Sequence, residues 1–81
     1  MELMDTAKMM GSADYKERFK AEYEQLRIRY EKLDAMLDSW DAGALNFTPA
    51  CPRSTYDIQI RAMVDYLGAL EARAVMEGVP L

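Results

Sequence analysis

Phe19, Tyr23, Leu26, Tyr30, Leu33, Leu37 and Trp40 follow one another at steps of four, three, four, three, four and three. That spacing places them on one side of an α-helix, and its 3.5-residue average suits packing against another helix. No glycine or proline interrupts residues 13–41, so a single helix over this span would be about 43 Å long. A solitary helix cannot bury such a stripe. The feature therefore demands a partner helix, from the same chain or from another copy.

The same chain supplies one. Tyr56, Ile60, Met63, Leu67, Leu70 and Ala74 repeat at four, three, four, three and four, a second seam matching the first. Gly43 is suited to the left-handed residue that ends the first helix, and Gly78 with Pro80 ends the second. Pro52 fits a first turn, and Ser54 to Asp57 offers a capping box. Between the helices, Leu45 and Phe47 are too apolar for a free loop and are expected to tuck against the core. The sequence predicts an all-α antiparallel hairpin, with helices over about 13–41 and 53–77.

Ile58, Ala62, Tyr66, Ala69 and Val75 widen the apolar surface of the second helix beyond its seam. A hairpin buries one face of each helix, so a further face must meet something else. We expect the hairpin to assemble into a homo-oligomeric bundle. The oligomer and core seam comprises Phe19, Tyr23, Leu26, Leu33 and Leu37 on one helix, and Ile60, Met63, Leu67 and Leu70 on the other.

Residues 1–12 read as an N-terminal extension to one hairpin domain over 13–81. Leu3, Met4, Ala7, Met9 and Met10 allow a helical turn or two, too short to stand alone. Ser12 is the expected cap of the long helix.

Composition narrows the function classes. The net charge of −4 argues against sequence-independent DNA binding, which relies on concentrated Lys and Arg. It leaves room for a small anion held by a few converging arginines. Histidine is absent, which removes the commonest general base and metal ligand. Cys51 is the only cysteine, lies between prolines and reads as a small buried hydrophobe in a cytoplasmic protein. No apolar run is long enough for a membrane span, and no catalytic constellation, metal site or cofactor motif is present. The expectation is a binding protein, not an enzyme.

A nucleotide-sized ligand requires aromatic faces for its base and guanidinium forks for its phosphate. Arginines stand near aromatics in several places, giving Arg27, Tyr30, Trp40, Phe47, Arg53 and Tyr56 as candidates, with Arg61 and Arg73 beside the second seam. Most of these aromatics also serve the seams. A second candidate surface is acidic: Asp34, Asp38, Asp41, Asp57 and Asp65 would suit a basic protein partner.

The run Asp41-Ala-Gly-Ala-Leu-Asn-Phe-Thr-Pro-Ala-Cys-Pro52, then Gln59, Ala62-Met63, Tyr66-Leu67, Leu70-Glu-Ala-Arg-Ala74 and Glu77-Gly78, resembles a family of short proteins from tailed phages and prophages, including crAss-like phages. Tyr15-Lys-Glu-Arg-Phe-Lys-Ala-Glu-Tyr23 and Leu26 to Leu37 extend the resemblance to residues 14–81. It implies a phage accessory protein acting in the host cytoplasm. By analogy with small oligomeric phage proteins that counter bacterial defence, it implies sequestration of a nucleotide immune signal between subunits, a cyclic dinucleotide or ADP-ribose derivative. The alternatives are an inhibitor of a host defence or replication protein, and a structural or regulatory bundle without ligand.

Overall fold

The computed structural model describes residues 1–81 and is all-helical: α1 spans Leu3–Met10, α2 Tyr15–Asp41 and α3 Arg53–Glu77. The chain therefore has three helices where the seams alone predicted two. α2 and α3 form the expected antiparallel pair in a body measuring 43 × 24 × 17 Å.

Local chemistry sets the boundaries. Asp14, not Ser12, caps α2: its side chain accepts from the Lys16 backbone N–H at 2.9 Å. Ser12 instead accepts from the Asp14 N–H at 3.1 Å and so shapes the preceding turn. At the other end Gly43 has φ +69°, while Gly43 N–H donates to Trp40 and Ala44 N–H to Ser39. That pair of bonds closes the helix with a left-handed glycine.

α3 ends the same way at Gly78, φ +68°, with Val79 N–H donating to the Ala74 carbonyl at 2.8 Å. Its start corrects an expectation. Pro52 is the N-cap and Ser54 already lies within the helix, so no Ser54 capping box forms, and Asp57 is engaged by Arg53 instead.

The two seams face each other within one chain. Phe19, Leu70, Ala74 and Val79 make a buried cluster, with Tyr23 and Leu26 packed against it. Leu70 is only 1% exposed, and Leu37 and Leu67 are buried farther along. Val79 joins because the turn at Gly78 directs the chain back over Ala74. Leu33, Ile60 and Met63 are half-buried. Tyrosine hydroxyls join the helix edges: Tyr23 donates to Glu71 at 3.1 Å and Tyr66 to Glu22.

α1 packs on a different side of α2. Thr6 and Ala21 are both 0% exposed, and Gln25 Nε2 reaches Thr6 Oγ1 at 3.4 Å and Met10 Sδ at 3.2 Å. Ala21, Gln25 and Ile28 share one face at helical spacing, and Ile28 is buried as well. Two linker expectations fail. Phe47 is 53% exposed and Cys51 is exposed, because residues 44–52 run over the surface and leave only Leu45 and Pro49 half-buried.

Candidate functional site

The turn end of the hairpin gathers three of the expected binding residues. Trp40 ends the seam of α2, and Tyr56 sits one turn into α3, so the antiparallel pairing brings their rings edge-to-face at 5.9 Å. Arg53, at the first position of α3, lays its guanidinium over the Trp40 ring at 5.6 Å. Carboxylates complete the cluster. Arg53 Nη1 and Nη2 engage the two oxygens of Asp41, the second at 3.3 Å, and Arg53 Nε donates to Asp57 at 3.1 Å.

The hydrogen bond from Arg53 holds the Asp41 carboxyl below its ordinary range, and the same bond raises the guanidinium. A fork so occupied is oriented but not vacant. The pair is exposed, so solvent screens most of its attraction.

Arg73 lies at the opposite end. Twenty residues of continuous helix separate it from Arg53, about 30 Å. It stacks over Phe19 at 4.9 Å and donates to the Tyr15 hydroxyl and to Glu77, both at 2.9 Å, while Tyr15 donates to Glu77 at 2.6 Å. The bond from Tyr15, then that from Arg73, lowers Glu77; in return Glu77 raises Tyr15. This knot ties the free ends of α2 and α3 together.

The remaining candidates are dispersed. Arg27 is paired along α2 with Glu24 and Glu31, both at 2.7 Å. Tyr30 lines a shallow hollow of about 260 Å³ with Val64, Leu67, Gly68 and Glu71. Arg61 is exposed on α3. Of the acidic set, Asp41 and Asp57 are spent on Arg53, while Asp34, Asp38 and Asp65 face solvent. One small ligand cannot touch the whole pool within one chain.

Phe47 belongs to a separate groove of about 400 Å³ between the C-terminal half of α2 and the linker. Its walls are Ala35, Met36, Ala44 and Leu45; its polar groups are Lys32, Ser39 and Asn46. Sequence reasoning named Phe47 but not its neighbours. One signal was available for Lys32: the residues three and four positions away along the helix are Ile28, Arg29, Ala35 and Met36, with no carboxylate among them. The other groove residues come together only when the linker turns back at Gly43.

No group of three or more His, Cys, Asp or Glu side chains is placed to hold a metal ion, and no helix is long and apolar enough to cross a membrane. No curated protein and no solved structure matches the chain. One family does: its sequence model, described as Sequestin, matches residues 13–76. That span holds α2, the linker and nearly all of α3, with every candidate aromatic and arginine, and leaves out α1. The chain belongs to the Sequestin family.

Proposed function

We propose that this protein is a sponge: a homo-oligomeric phage protein that binds a nucleotide-derived immune signal and withholds it from the host's defence without converting it. The observation that carries the reading is the Sequestin match over residues 13–76, whose name fits sequestration and whose span contains the aromatic and cationic residues. The geometry adds a guanidinium already stacked on an aromatic pair, Arg53 over Trp40 with Tyr56 beside it. These are the elements that hold a phosphate and a base.

The oligomer is part of the proposal. On α3, Ile58, Ala62, Ala69, Ala72 and Met76 share the side turned away from α2, and Ile58 and Met76 are 69% and 81% exposed. An apolar stripe of this extent on a small helical protein favours a second copy. A two-fold axis through it brings the same residues of both copies together. It also doubles the number of aromatic and cationic residues available to one ligand.

Thermal unfolding in the presence of cyclic di-AMP, cyclic GMP–AMP and ADP-ribose tests the reading. A signal present at 100 times its Kd adds about 2.7 kcal/mol to the stability of the state that binds it. Stabilisation by at least one of the three is expected; identical unfolding with and without all three contradicts it.

A further inference from the structure

The side of α2 that begins at Ala21, Gln25 and Ile28 continues at helical spacing through Lys32, Met36 and Ser39. α1 covers its first half. Beyond Ile28 that cover ends, and the linker folds back instead, leaving the groove of about 400 Å³. A volume of this size falls within the range of small-molecule sites, about 300–1,000 Å³.

Resting on the sequestering function above, we infer that this groove is a second base-binding subsite, apart from the Trp40–Tyr56 pair, taking a purine-type nucleotide with Phe47 as its stacking platform, Asn46 and Ser39 on its polar edge, and Lys32 on its phosphate. Three observations converge. Phe47 is 53% exposed, an arrangement that leaves a ring face for a ligand instead of the core. Lys32 enters none of the chain's five ion pairs, whereas Arg27, Arg53 and Arg73 are each closed by carboxylates. The walls at Ala35, Met36 and Leu45 offer apolar surface to the base beside the ammonium.

The positive side of α2 favours an anionic occupant. Arg29 stands three residues before Lys32 on the same helix and forms no ion pair either. A neutral or cationic guest would leave both charges without a partner.

The test is isothermal titration of the full chain with ADP-ribose and with cyclic GMP–AMP, comparing F47A, F47W and K32A with the unaltered protein. Both sites, Phe47 and Lys32, are exposed, so unchanged circular dichroism and melting temperature are expected for all three variants. F47A should weaken binding about tenfold to a hundredfold, and F47W should retain it, since any aromatic face stacks a base. K32A should weaken binding about tenfold and flatten its dependence on salt.

Binding of the variants at the affinity of the unaltered chain overturns the groove and leaves sequestration standing. Binding of neither probe by the unaltered chain overturns both. A changed subunit count in native mass spectrometry with unchanged affinity assigns the groove to contacts between copies, and likewise overturns the subsite.

Discussion

One face of α2 is treated in opposite ways along its length. From Ala21 to Ile28 it lies under α1, where Thr6 and Ala21 meet with no exposed surface and Gln25 bonds across the contact. From Lys32 to Ser39 the same face lines a groove roofed only by the linker, with an exposed Phe47 at its edge and an unpaired ammonium within it. Small side chains and satisfied hydrogen bonds mark the half that the chain closes for itself. Unpaired polar groups beside an aromatic mark the half left for something else. α1 stands outside the family match, while the groove and the α2 residues under α1 lie inside it.

The contrast can be broken at several points. The largest effect is expected on neither half but on the seam behind both: L70A leaves a cavity at a 1% exposed position and should cost about 2–5 kcal/mol in urea unfolding. A loss below about 1 kcal/mol would mean that α3 is not held by that seam. Next, one substitution made in each half should give different results. A21L forces added volume into the sealed α1 contact and should cost about 1–3 kcal/mol, measured by thermal melts. A35L places the same volume in the open groove and should change stability by less than about 0.5 kcal/mol, while blocking ligand. Equal losses from the two would show that the groove is packed, not open.

The smallest effect concerns pH. Asp41 and Glu77 sit at opposite ends of the α2–α3 pair, and both carboxyls are held below their ordinary values, by Arg53 in one case and by Tyr15 and then Arg73 in the other. A group whose folded pKa is depressed adds stability that is fully present above the unfolded carboxylate value, near 4. That share is lost as pH falls through the folded pKa. Both pairs are exposed, so the loss should be modest. Urea midpoints should be flat with respect to these two groups from about pH 6 upward and should decline below about pH 4; D41N should lessen that decline.

Much of the α2–α3 pair was readable in the sequence because its determinants are local or periodic. Gly43, Pro52 and Gly78 fix helix ends within a residue or two, and the two heptad seams select each other by pattern. α1 was harder to read. Its most buried contact, Thr6 on Ala21 with Gln25 bonded across, is made by small or polar residues, and its apolar residues from Leu3 to Met10 fill too few turns to mark a helix that stands alone. Val79 was missed for a related reason: it lies past the helix end, and only the turn at Gly78 carries it into the core.

The candidate site divides along the same line. Proximity in sequence suggested Arg53 with Tyr56, and the antiparallel pairing added Trp40. That Arg53 would be closed by Asp41, twelve residues earlier, depends on the path of the linker, which no periodicity encodes. Lys32, Ser39 and Asn46 share one groove for the same reason.

Sequestration makes a demand that neither an inhibitor of a host protein nor a ligand-free bundle meets: the signal must disappear from solution in proportion to the protein and return unaltered. Cyclic GMP–AMP and ADP-ribose should each be mixed with increasing amounts of the full chain and filtered, with the filtrate assayed before and after heat denaturation of the retained protein. The account predicts that at least one of them falls stoichiometrically in the first filtrate and is recovered chemically intact in the second. Both remaining free at every protein concentration, or reappearing as a converted product, would contradict it.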